Sequence, residues 1–326
     1  MSLLSVEALN VSFRTGRGLV KANEGIFLEI KEGEVLALIG ETGCGKTTFG
    51  KALLRLLSKN VMIKGRILFR GRDLLALSRN EMRQLRGKEI GIVLQNPSLA
   101  LNPVLSIGDQ LAEVYRSHEG CGKKEAEKKA GEMLGLVGID PSRKAEYPHQ
   151  FSGGMLQRVM VALGLALRPA LLIADEPTRG LDLQTKQQIA DLISGLVKQE
   201  ASALLLITHD LEVAEQIADR AAVMYAGEIV ETGKAREIFS NPGHPYTRAL
   251  LEALPENGLR AVPGQGPSFV NPPSGCRFHP RCAFGTESCQ KIRPRLLELE
   301  GERQVRCLLF ESTGKPEEIP DDAAKS

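Results

Sequence analysis

Tryptophan is absent from this 326-residue chain, and aromatic residues together make up 4% of it. Stacking platforms for nucleic-acid bases are therefore scarce. An excess of charge of one sign is lacking too: 42 Lys and Arg stand against 40 Asp and Glu. That balance offers no chain-wide attraction for a phosphate backbone, and no nucleic-acid partner is expected. No stretch reaches the roughly 18 uncharged apolar residues that suggest a membrane-crossing helix, so any membrane role has to come through a partner. The opening MSLLSVEALNVSFRTG has no basic segment followed by an apolar one and a cleavage site. No secretory signal is expected, and the chain is expected in the cytosol. Six cysteines are poor disulfide candidates there. Four of them fall between 276 and 307, which points to metal.

What is present is alternation of strand-like and helix-like segments. Residues 3–13 and 26–30 suggest an opening antiparallel β segment. Glu34–Ile39 (EVLALI) is a short apolar run leading into a Gly-rich turn, followed by helix-forming residues from Thr47 to Leu57. Strands are expected at Lys64–Phe69, Ile90–Leu94, 171–175 and 203–208. Helices are expected from about Ile107 to Val137, with Lys123–Lys129 exposed, and at Met155–Leu167, 184–199 and 211–218. Such alternation implies a mainly parallel sheet flanked by helices. AAVMYAGEIVETG (221–233) suggests a hairpin turning at Gly227. Beyond Phe239, seven prolines between 242 and 273 break regular structure, leaving a short helix near 246–253 in a segment with little core. The tail after 312 has little to bury and is expected to be disordered.

Two motifs carry chemistry. Gly40–Thr47 (GETGCGKT) matches G-x-x-x-x-G-K-[ST] in strand-to-helix context. Its candidate binding residues are Gly40, Glu41, Thr42, Gly43, Cys44, Gly45, Lys46, Thr47 and Thr48. Glycines let backbone N–H groups turn around phosphate oxygens, and the helix N-terminus adds its dipole. Lys46 would reach the β- and γ-phosphates, and Thr47 would offer its hydroxyl to Mg²⁺. The second motif, Leu171–Glu176 (LLIADE), is an apolar strand ending in two acids, at the strand end where open α/β sheets bind ligands. Asp175 fits a partner of Mg²⁺ through coordinated water, and Glu176 the residue that polarises an attacking water. Phosphoryl transfer demands mainly positioning and charge stabilisation, which these groups cover.

Phe151–Gln157 (FSGGMLQ) precedes a helix. By itself Ser152 there is merely a good cap. With its surroundings it resembles the signature motif of the ABC ATPases, and the resemblance extends over residues 1–240 in the family's order. Phe13 sits where an aromatic stacks on adenine, Gln95 matches the Q-loop, Gly180-Leu181-Asp182 the D-loop, and His209 the switch histidine. The resemblance implies an α/β fold of the ABC P-loop type: a mixed sheet flanked by helices, an antiparallel β subdomain and a helical subdomain at about 98–168. It also implies that Ser152, Gly153, Gly154 and Met155 of one subunit close over ATP held by another, so that two subunits, identical or merely related, dimerise around two ATPs. Gln95 would touch the metal, His209 would stabilise charge on the γ-phosphate, and Asp182 would support the opposing subunit. The departures are Phe151 and Met155 where Leu and Gln are commoner, Cys44 where Ser is frequent, and Arg179-Gly180 at D-loop positions usually held by small residues. Cys44, beside a helix N-terminus, is expected to have a lowered thiol pKa.

Residues 94–103, 147–169 and 244–255 (HPYTRALLEALP) resemble the oligopeptide/dipeptide importer ATPases. That resemblance implies a C-terminal extension over 241–312. It further implies two membrane permease subunits, an extracytoplasmic substrate-binding protein, and a place on the inner face of the cytoplasmic membrane. Nickel or another small solute is the alternative cargo, and a soluble ABC ATPase outside transport the alternative class. Cys276, Cys282, Cys289 and Cys307, spaced C-x5-C-x6-C-x17-C, suit Zn²⁺ or an iron–sulfur cluster. The gaps are wider than the usual zinc pairing and relatives with this extension resemble cluster carriers, which favours [4Fe–4S]. His279 inside the motif reads first as a plain turn histidine and otherwise as a stand-in for a cysteine, and four unliganded thiols packed as small hydrophobes are the plain alternative.

Overall fold

A computed structural model describes residues 2–311 apart from 17, 59, 256, 257 and 300; the expected disordered tail lies outside the described residues. The chain begins with two fourteen-residue strands, β1 (Ser2–Thr15) and β2 (Gly18–Lys31), longer than the sequence pattern indicates. They share a four-stranded sheet, in the order β2-β1-β4-β5, with β4 (Val61–Phe69) and β5 (Arg72–Asp73). Pairing, rather than alternation alone, carries them beyond their apolar runs. Between β2 and β4 lie β3 (Val35–Ile39) and α1 (Lys46–Leu53). The expected helix to Leu57 stops short because Arg55 takes a left-handed φ of 52°.

The chain forms two compact units. The first is built mainly from Leu68–Thr208. It holds α2 (Arg79–Leu85), β6 (Ile90–Val93), α3 (Pro97–Ala100), α4 (Ile107–Glu119), α5 (Lys123–Leu136), α6 (Gly153–Leu165), β7 (Leu171–Asp175), α7 (Leu183–Gln199) and β8 (Ala203–Thr208). Strands β6, β7 and β8 are parallel, with Ile90 opposite Leu171 and Leu171 opposite Ala203. Every residue of β7 and β8 is buried, as continuous apolar strands require when both faces are covered. The helical stretch from 107 to 137 consists of two helices. Ser106 caps α4 by accepting the Asp109 N–H at 3.1 Å, and Gly120 ends it in the left-handed conformation. Ala126, Ala130 and Leu134 turn inward on α5, leaving Lys123 and Lys128 in solvent.

The second unit comprises Ser5–Leu28, Leu36–Ile67 and the chain from His209. It contains α8 (Leu211–Ile217), β9 (Arg220–Tyr225), β10 (Glu228–Lys234), α9 (Ala235–Ser240), α10 (Pro245–Glu252), α11 (Glu287–Lys291), β11 (Leu297–Glu298) and β12 (Gln304–Val305). Here the pairing is mixed: β3 runs parallel to β9, while β9–β10, β10–β12 and β11–β12 are antiparallel. The hairpin turns on Ala226 and Gly227, both at positive φ, the two-residue geometry that matches strand twist.

The region beyond 240 differs from expectation. It is not a segment with little core: Tyr246, Leu251 and Phe278 join Ile39, Val223, Tyr225 and Ile238 in one buried cluster, against which Cys276 and Cys282 pack. Burying each such large apolar side chain contributes about 1.5–3 kcal/mol, which offsets the shortage of regular elements. Glu231 on β10, wholly buried, accepts the N–H groups of Gly243 and His244 and the guanidinium of Arg303. His244 Nδ1 caps α10 by accepting the Tyr246 N–H at 3.0 Å, and its other nitrogen donates to the Arg306 carbonyl. Burial holds this imidazole's pKa down to about 3, so the cap works as the neutral ring.

Candidate functional site

The phosphate-loop match lies between the buried end of β3 and the start of α1. Gly45 is the N-cap of α1 and offers no side-chain acceptor, and no acid occupies the first turn. The positive end of the helix is therefore left for an external anion. Two glycines are demanded by space as well as by backbone angle. Gly40 has φ +148°, and a Cβ there would come within 2.2 Å of the Met224 carbonyl oxygen. At Gly45, φ +113°, a Cβ would meet the Ala22 oxygen at 2.6 Å. Lys46 is 4% exposed, and its Nζ donates to the carbonyls of Gly40 at 2.6 Å and Glu41 at 3.0 Å. Thr42 and Gly43 form the open lip, Thr47 and Thr48 are half-buried, and Phe13 lies half-buried on β1. The loop's lysine, glycines and helix start thus fit a nucleotide's phosphates.

Cys44 corrects an expectation. Its thiol pKa is raised, not lowered, because burial outweighs the nearby Lys46 ammonium at 3.8 Å. Proximity to a helix start activates a thiol only where the thiolate stays solvated.

In the first unit, β7 delivers two acids side by side. Asp175 and Glu176 are 3% and 6% exposed. Glu176 has a left-handed φ of 51°, and its N–H is fixed to the Ile207 carbonyl at 2.8 Å. A non-glycine residue held there is a strained feature of the kind that clusters at functional sites; its sequence carries no sign of it. Gln95 is half-buried just past β6. Ser152 Oγ accepts the Met155 N–H at 3.4 Å, starting α6. The structure brings this signature segment beside the D-loop match. A Cβ on Gly154 would lie 2.8 Å from the Thr185 methyl, and one on Gly153 would lie 3.9 Å from Leu181. Asp182 caps α7, accepting the Thr185 hydroxyl at 2.6 Å and its N–H at 3.0 Å, and the hydroxyl above all lowers its carboxyl pKa. Arg143 has no place in the motif reading, yet it stacks on Phe151 at 4.4 Å and donates to the Gln150 carbonyl and Met155 sulfur. In the second unit, His209 directly follows β8 in the chain and is exposed.

The four C-terminal cysteines are near one another without closing. Cys307 interacts electrostatically with Cys276, Cys282 and Cys289, and the Cys276 N–H donates to the Cys289 carbonyl at 2.8 Å. The sulfurs of Cys276, Cys282 and Cys307 each accept the N–H of the residue two positions on. Burial pushes the thiols up, to about 11 for Cys282 and about 12 for Cys307. Among the described residues, no group of three or more His, Cys, Asp or Glu side chains is drawn together to hold a metal ion. His279 does not complete one. The expected metal site is therefore not formed as a coordination group, and the zinc alternative fits worst, since one zinc needs all its sulfurs about 2.3 Å from a single point. Cys276 and Cys282 pack instead against the aromatic core.

Residues 24–179 match the ABC transporter family, and residues 230–289 match the oligopeptide/dipeptide transporter C-terminal region. The chain is 42% identical to the oligopeptide transport ATP-binding protein OppD of Bacillus subtilis, over 99% of this chain and 93% of that protein. It is also 42% identical to the dipeptide transport ATP-binding protein DppD of the same organism, over 98% of each. Among solved structures, the ADP- and phosphate-bound dimer of the ATP-binding cassette MJ0796 superposes with a TM-score of 0.65 at 27% identity, covering 72% of this chain and 99% of that one. The cassette cbiO1 of Clostridium perfringens superposes with a TM-score of 0.63 at 30% identity, covering 74% and 91%. With relatives aligned from end to end at this identity, the chain belongs to the family of ATP-binding subunits of oligopeptide/dipeptide ABC transporters.

Proposed function

We propose that this chain hydrolyses MgATP as one half of an ATPase dimer and thereby drives uptake of di- or oligopeptides through two membrane permease subunits fed by an extracytoplasmic substrate-binding protein. The observation that carries the chemistry is the uncapped start of α1 with Lys46 laid across the loop carbonyls, a positive cradle matched to a polyphosphate. What supports peptide as the cargo is the near-full-length likeness to the two Bacillus proteins. No helix among the described residues is long and apolar enough to cross a membrane, so in this reading the chain works at the inner face, through the permeases.

In this reading Phe13 stacks on adenine and Lys46 neutralises the β- and γ-phosphates. Thr47, Asp175 and Gln95 would hold Mg²⁺, which would supply charge stabilisation during phosphoryl transfer. Glu176 orients the attacking water and His209 faces the γ-phosphate. Ser152, Gly153 and Gly154 serve the opposite subunit's ATP, with Asp182 beside them. Vesicles carrying the permeases, the binding protein and this chain are expected to accumulate labelled dipeptide only with ATP on the side of this chain, and Lys46→Ala should stop it. Accumulation of nickel but not of peptide would overturn the cargo.

We propose also that Cys276, Cys282, Cys289 and Cys307 hold a [4Fe–4S] cluster, whose chemistry here is to cross-link the extension. What supports it is the C-x5-C-x6-C-x17-C spacing and the N–H donation to the sulfurs of Cys276, Cys282 and Cys307. Protein purified without oxygen is expected to show broad visible absorption and about four irons per chain, both lost on chelation. Metal-free protein would remove the cluster and leave the ATPase reading standing.

A further inference from the structure

Glu41 occupies a variable position of the phosphate-loop motif, yet all three of its polar groups are held. Its carbonyl accepts Lys46 Nζ at 3.0 Å, its N–H donates to the Tyr246 hydroxyl at 2.9 Å, and its carboxylate takes two bonds from Arg281 at 2.8 and 2.9 Å. Two of these three holds come from beyond residue 240. Tyr246 is wholly buried, packed at 4.5 Å on Tyr225 and 5.4 Å on Phe278, and burial keeps its phenol protonated. Arg281 is 8% exposed, donates through Nε to the Pro263 carbonyl at 2.6 Å, and lies over the Tyr225 ring. A second hold acts at the far side of the loop. The Gly227 N–H donates to the Cys44 carbonyl at 2.8 Å, and Arg277 grips the same hairpin turn at the Ala226 carbonyl. Arg277 and Arg281 both lie in the CRFHPRC segment between the first two C-terminal cysteines.

We propose that the C-terminal extension is a positioning element of the nucleotide site, with Tyr246 and Arg281 holding the phosphate loop open for ATP before ATP arrives. The proposal rests on the reading of Gly40–Thr47 as that site. A loop that binds phosphate through its backbone loses affinity if it must be ordered on binding, and gains it if the fold has already ordered it. Rotation of the peptides around Glu41 would turn inward-facing N–H groups away, and the clamp blocks that rotation at both ends of the residue. Because the loop grips ATP before and during reaction alike, the clamp's effect belongs in KM, with kcat at saturation nearly unchanged.

The test uses the full chain and a fluorescent ATP analogue with Mg²⁺. Glu41→Gln and Arg281→Gln are each expected to weaken binding about tenfold, as for loss of a charge-assisted hydrogen-bond pair. The double variant is expected to be no weaker than either single one, because the two side chains act as a unit. Tyr246→Phe keeps the aromatic packing and removes only the acceptor; it should bind about fivefold more weakly with its melting temperature unchanged, which keeps the test decisive if Arg281→Gln folds poorly. Binding unchanged in Tyr246→Phe, or Glu41 and Arg281 effects that multiply, would overturn the clamp while Lys46→Ala still abolishes binding. If Lys46→Ala itself binds like the parent, the nucleotide site is wrong and the clamp falls with it.

Discussion

Glu176→Gln is expected to bind MgATP as the parent does and to turn it over about 10²- to 10⁴-fold more slowly, the range for losing a positioned general base. The substitution is close to isosteric, so it keeps the packing at the end of β7, where the residue is 6% exposed and its N–H is tied to Ile207. It also leaves the backbone, at φ 51°, with the strain it already has. On the proposed role of Glu176, what disappears is the carboxylate's capacity to accept a proton from the attacking water. Phosphate release measured under saturating ATP reads the rate, and size-exclusion chromatography with ATP should find a dimer that persists because the nucleotide is not cleaved. His209→Ala should fall in the same direction. Turnover unchanged in both would sink the catalytic assignment.

The second large effect is expected at Gly40. Alanine there places a Cβ 2.2 Å from a backbone oxygen of Met224 and 3.0 Å from the Cys44 sulfur, at a φ that side chains avoid. Met224 is buried and paired with Ile229 in the β9–β10 hairpin, so the loop has to yield rather than the sheet. Backbone strain alone costs about 1–3 kcal/mol, and the displaced N–H groups add to it, so ATP affinity should fall by about 100-fold or more. Gly43→Ala separates the causes. Its φ is +83° but no atom lies within 4 Å, leaving strain without a clash and a loss of about fivefold for roughly 1 kcal/mol. Calorimetric titration of both variants with ATP measures the contrast. Equal affinities would show that the Met224 contact does not shape the loop.

Much of the site was legible in the chain because its demands are local. The glycines of 40–45 and Lys46 must stand at set offsets for a strand-to-helix turn to offer N–H groups to phosphate. Asp175 and Glu176 must close a buried strand, which is why LLIAD is so apolar. Ser152 and Asp182 each cap the helix that follows them. The strain at Glu176 and the burial of Cys44 were not legible, since neither backbone angle nor solvent access is written in a residue's neighbours.

The sequence by itself determined the family and the class of reaction, because those rest on motifs whose spacings are a few residues along one strand, turn or helix. Only the tertiary structure decided what the C-terminal extension does to the phosphate loop. Arg281 and Glu41 are separated by 240 positions, and in the chain each is one charge among 42 basic and 40 acidic residues. Nothing local distinguishes an arginine that clamps a loop from one that faces water. The difference is made where Tyr246, Tyr225 and Phe278 bury together, excluding water from the loop's flank and leaving the guanidinium and the phenol to satisfy its polar groups.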